Sequence, residues 1–102
     1  MKQHSQSQQR GIKKAALSLY QAILDMESIE EVRSLMLDLC TPSELEALVD
    51  RWWAACLLAE GRSYRDIREE TGVSVTTIGR VARFMEMGEG GYKLAMDKRK
   101  PL

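Results

Sequence analysis

Four times between Ser28 and Ser74 the chain sets down a helix start and follows it with apolar residues at helical spacing. No other feature narrows the possible folds so far. Ser28 with Glu31 has the capping-box pattern S-x-x-E, and behind it Ile29, Val32, Leu35, Met36 and Leu39 form one apolar stripe. Thr41-Pro42-Ser43-Glu44 puts an N-cap threonine before a proline at the first helical position, where the missing N–H costs nothing. The helix it opens carries Leu45, Leu48, Val49, Trp52, Cys56 and Ala59 and stops at Gly61. Ser63 with Asp66 opens a short helix that Gly72 ends, and Ser74 opens another over about Val75 to Met87. Ahead of these, Ala16, Leu19, Tyr20, Ile23 and Leu24 recur at helical spacing from Ile12 onward, up to a break after Glu27. Beyond the glycines at 88, 90 and 91, Tyr92 to Asp97 predicts a last short helix. Sustained apolar–polar alternation and hairpin dipeptides are absent. The sequence therefore specifies an all-α fold of about six helices.

Residues 1–11 are rich in Gln and Ser and lack apolar periodicity, which predicts a disordered polar arm. Residues 12–97 are expected to form a single helical domain and residues 98–102 a basic tail. Fifteen basic side chains cancel 15 acidic ones, so any affinity for a polyanion must be local. No apolar run approaches the roughly 18 residues of a membrane span, and no apolar core follows Lys2, so neither membrane association nor a secretory leader is expected. Cys40 and Cys56 lack C-x-x-C spacing and fit reduced thiols in the core of a cytoplasmic protein, with no metal site. The single histidine, His4, lies in the polar arm. With no nucleophile motif, ligand cluster or phosphate-cradling glycine loop in the rest of the chain, an enzyme is not expected.

The informative segment is Ser63 to Phe84, SYRDIREETGVSVTTIGRVARF, within a helix-turn-helix placed at about 63–85. Two short helices locked at a fixed angle make specific demands. Ile67 supplies the apolar anchor of the first helix, Gly72 the residue that tolerates positive φ, and Val73 the plug behind the turn. Ile78 and Val81 return the second helix to the same core. Arg68 stands where such motifs commonly carry a small residue, so it must point outward. The exposed face predicted for the second helix holds Val75, Thr76, Thr77, Gly79, Arg80 and Arg83, opened by Ser74. Short side chains at a helix N-terminus let the backbone approach base edges in the major groove, and threonine and valine methyls can meet thymine. Arg65 and Arg68 on the preceding helix can reach phosphates. The partner so implied is double-stranded DNA.

The run from Thr41 to Val81 resembles the Trp repressor superfamily, in particular its Trp repressor-like (YerC/YecD-type) branch, over roughly Ile29 to Met85. The resemblance rests on T-P-x-E-x-E-A-L at Thr41 to Leu48, on Arg51 and Gly61, and on T-I-x-R at Thr77 to Arg80. It implies an intertwined homodimer, and in such a dimer one ring of the adjacent Trp52 and Trp53 is expected to pack across the interface. It also implies an effector pocket that holds tryptophan between Arg51 and Arg80, near Thr41. Two residues depart from that pattern: Val81 replaces a small glycine, and Phe84 replaces a serine that meets the ligand's amino group. Both add bulk and the second removes a polar partner, which argues against tryptophan or another amino acid as effector and favours a regulator without a cofactor, its pocket filled by these two side chains.

The expected function is a homodimeric transcriptional regulator of repressor type on a palindromic operator. Two rivals keep the same helices. A module like the promoter-reading domain of sigma factors would be monomeric and part of a larger chain. A protein-interaction module would use an adaptable patch such as Met85, Met87 and Met96.

Overall fold

In the computed structural model, which describes residues 3–98, each serine expected to start a helix does so through its hydroxyl. Ser28 Oγ accepts the Glu31 N–H at 3.1 Å, Ser63 Oγ that of Asp66 at 3.1 Å, and Ser74 Oγ that of Thr77 at 3.1 Å. The elements are α1 (Gln6–Leu24), α2 (Ile29–Leu39), α3 (Pro42–Ala59), α4 (Tyr64–Thr71), α5 (Val75–Met87) and α6 (Gly91–Lys98), with no strand among the described residues. The Glu31 carboxylate accepts the N–H of Glu27 at 2.9 Å, one residue ahead of the cap that the capping-box pattern suggests. Of the basic tail, residues 99–102 lie outside the described residues.

The arm expected to be disordered over residues 1–11 is helical from Gln6. Ser5 makes the difference. Its hydroxyl accepts the Gln8 N–H at 3.2 Å, while Gln8 Oε1 accepts the Ser5 N–H at 2.7 Å. Such a reciprocal cap satisfies donors that would otherwise be orphaned, and glutamine propagates a helix nearly as well as leucine. Low hydrophobicity was a guide to what this segment can bury, and it says little about whether an existing helix extends through it.

The single domain expected over 12–97 divides into two compact units, residues 1–41 and 42–102. In the first, neither α1 nor α2 contains a buried residue. In the second, α3, α4 and α5 surround Ala54, Leu57, Ile67, Val73 and Ile78, with Trp53 and Leu58 packed against that cluster. Ala54, Ala55, Ile67 and Ile78 are fully buried. Each buried isoleucine contributes about 1.5–3 kcal/mol. Cys56 is buried as well, and burial, helped by the charge of Glu60, pushes its thiol above the ordinary range, as suits an inert core thiol.

Gly72 ends α4 with φ at 75°, the left-handed region where a Cβ is unfavourable. Nothing lies within 4 Å of the position its Cβ would take, so the backbone alone carries the penalty of substitution. Gly72→Ala should therefore lower unfolding stability by about 1–2 kcal/mol, read from urea melts, with helix content kept below the transition.

Candidate nucleic-acid interface

α4, the turn at Gly72 and α5 form the helix-turn-helix read from the sequence. The turn is fastened from both sides. The Gly72 N–H donates to the Arg68 carbonyl at 2.8 Å. The Thr71 hydroxyl donates to the Ile67 carbonyl at 2.7 Å and accepts the Val73 N–H at 3.0 Å. Val73 is buried behind the turn, and Ile67, Ile78 and Val81 turn into the core as expected.

With Ile78 and Val81 committed inward, the opposite face of α5 is free. Thr76, Arg80 and Arg83, at spacing i, i+4 and i+7, form one exposed row, and Val75 is exposed in the first turn. α5 has no acidic residue in its first turn, so nothing there opposes an anion at the positive end of the helix dipole. Ser74 and Thr77 are occupied differently from their neighbours. Ser74 Oγ holds the Thr77 N–H and lies 3.0 Å from Thr77 Oγ1, so both hydroxyls serve the cap. On α4, Arg68 is exposed, as its size requires, and Arg65 Nε meets Glu69 at 3.3 Å. Both members of that pair are largely exposed, and such pairs contribute about 0–1 kcal/mol, so Arg65 is held only weakly.

Gly79 is half-buried on the flank of α5. A Cβ built there would lie 3.8 Å from Tyr64 Cε2, an ordinary contact. The fold therefore has room for a methyl group at 79.

The pocket residues inferred from the resemblance are brought together in part. Arg51, Arg80, Val81 and Phe84 line one open cavity of about 600 Å³, together with Trp52, Glu89 and Tyr92. Thr41 belongs to the first unit and is not among the lining residues. The expectation that Val81 and Phe84 fill the space does not hold. Val81 is buried, whereas Phe84 is half-exposed with the Arg80 guanidinium 5.8 Å from its ring centre. Two guanidinium groups, one carboxylate and three aromatic rings thus line the space. Trp52 stacks on Tyr92 with centroids 6.3 Å apart and planes inclined by 14°, and Trp53 packs on the core. Both tryptophans thus have contacts inside the second unit while remaining half-buried. Trp52, Glu89 and Tyr92 were not legible as cavity residues. Glu89 sits among glycines that suggest only a hinge, and no spacing rule joins residue 52 to residue 92.

A family model described as Trp repressor protein matches residues 14–100. The uncharacterized protein YerC of Bacillus subtilis (strain 168) is 39% identical over 80 residues, covering 78% of this chain and 77% of the relative. Among solved structures, a TrpR-like protein from Eubacterium eligens superposes with a TM-score of 0.79 at 38% identity, covering 83% of this chain and 88% of that one. A Staphylococcus aureus protein described as a putative Trp repressor does so with a TM-score of 0.79 at 35% identity, covering 83% and 85%.

Because the glycine at 79 is not demanded by internal packing, Gly79→Ala should stabilise the chain by up to about 1 kcal/mol through helix propensity, and thermal melts should show no loss. A lower melting temperature would mean that the missing side chain serves the fold.

Proposed function

The chain belongs to the Trp repressor family, and from that membership and the free face of α5 we propose that it is a dimeric, sequence-specific DNA-binding regulator of transcription. The observation that carries this reading is the exposed row Thr76, Arg80 and Arg83, on a helix whose other face is held by Ile78 and Val81. α5 enters the major groove with its N-terminus leading. Val75, Thr76, Gly79 and Arg80 lie nearest the base edges, and Arg65, Arg68 and Arg83 set the register through phosphates. Ser74 and Thr77 hold the N-terminus of α5 in shape. A second copy presents the same helix about 34 Å away, so the target is a palindrome with half-sites one helical turn apart. The dimer reading is supported by α1 and α2, which leave Tyr20, Leu24, Ile29 and Leu39 exposed. Occlusion of a promoter then gives repression, in the cytoplasm where the DNA is.

The cavity beside Arg80 suits an effector. Arg51 and Arg80 would hold a carboxylate and Glu89 an ammonium group, with Trp52, Phe84 and Tyr92 around an aromatic side chain. Such a ligand would supply charge and bulk next to Arg80, the residue that the cavity shares with the DNA-facing row.

The test is selection of a binding site from a random duplex pool, followed by titration of the recovered site. The double variant Thr76→Ala, Arg80→Ala should bind it at least tenfold more weakly, since each base contact is worth about 1–3 kcal/mol. Affinity of the parent should fall steeply as salt rises. Equal binding by parent and variant would show that this face of α5 does not read DNA.

A further inference from the structure

Tyr64 stands out on the proposed DNA-facing side as a large aromatic that the core does not claim. It opens α4 directly after the Ser63 cap and is 41% exposed. Its ring edge lies on the flank of α5, with Cε2 3.8 Å from where a Cβ at Gly79 would stand. Along α5, the residues one turn either side of Gly79 on that flank are Val75 and Arg83, and one turn along α4 from Tyr64 is Arg68. All three are exposed. The phenol therefore sits in the angle between the two helices, beside a glycine and within a frame of two arginines. No side-chain hydrogen bond among the described residues occupies its oxygen.

We propose that Tyr64 is a DNA-contacting residue whose hydroxyl donates a hydrogen bond to a backbone phosphate, its ring being held in place against α5 at Gly79. The inference rests on the nucleic-acid reading given above. A phenol suits this position better than a longer flexible side chain. Only two torsions need be fixed, and the flank of α5 beside the ring limits them before DNA arrives. As a phosphate contact it adds affinity without adding sequence information. Being neutral, it releases no counterion, so it leaves the salt dependence alone.

The experiment compares the parent with Tyr64→Phe, which keeps the ring and removes the donor, on the selected site and on a mixed-sequence duplex of equal length. The expected result is an unchanged melting temperature, about tenfold weaker binding to both duplexes, and the same slope of log affinity against log salt. Arg68→Ala, run alongside, should reduce that slope by about 1, which shows that the assay detects a charged phosphate contact. Parent-like binding by Tyr64→Phe to both duplexes would overturn the inference while leaving the nucleic-acid reading intact. Weakening on the selected site alone would overturn the phosphate assignment in favour of a base contact. A parent that binds neither duplex would overturn the nucleic-acid reading, and the inference would fall with it.

Discussion

Ala54, fully buried on α3 among Ile67, Val73 and Ile78, sets how closely α4 and α5 can approach it. A methyl is the smallest side chain that still favours a helix, so at this point the helices meet with little between them, and Ile67, Val73 and Ile78 fill the space around the contact. Overpacking such a site by even a few methylenes typically costs about 1–3 kcal/mol, because neighbours must leave their rotamers. The angle between α4 and α5 is thus fixed twice, by Gly72 and its hydrogen bonds at the turn and by the residues both helices plant against α3. The exposed row on α5 has a definite direction because its opposite side has no freedom. Thr76, Arg80 and Arg83 are presented by a scaffold, so in the proposed DNA reading they need not be ordered one by one.

The same helix has a second obligation. Arg80 belongs to the exposed row and also lines the cavity with Arg51, its guanidinium resting over Phe84. Phe84, one turn on from Arg80, forms part of the cavity wall without filling it. The opposite wall depends on α6, where Tyr92 stacks on Trp52. Gly88 makes that turn possible: a Cβ there would collide with the Phe84 carbonyl oxygen. The two arginines therefore remain beside an open space lined by rings.

Much of this was legible in the sequence, for a physical reason. Helix starts are local events, so Ser28, Ser63 and Ser74 announced α2, α4 and α5 correctly, and the turn glycine with its apolar partners identified the helix-turn-helix. Where polar residues did the work, local reading was weaker. The Ser5–Gln8 cap extends α1 through a stretch whose composition suggested disorder. Contacts between residues distant in the chain were out of reach. Nothing in the spacing of the adjacent Trp52 and Trp53 pointed to Tyr92, on which Trp52 stacks. Tyr64 carried no signal of its own in the sequence, and only its closeness to Gly79 places it on the α5 flank. The cavity was expected to be filled by the two bulky replacements, Val81 and Phe84, but Val81 is buried and Phe84 forms part of the wall.

What most needs an explanation beyond the single chain is the first unit. Its helices are amphipathic, yet Leu24 is 75% exposed and Ile29 77%, with no buried residue in α1 or α2 to set against them. Apolar helices of this kind are stable in water only when something covers them, and a second copy carries the same stripes. The most direct measurement is the mass of the free protein by light scattering at low micromolar concentration. The account predicts a stable species of twice the 11.6 kDa chain. A species of single-chain mass would contradict it, because the exposed stripes of α1 and α2 would then have no second copy to cover them.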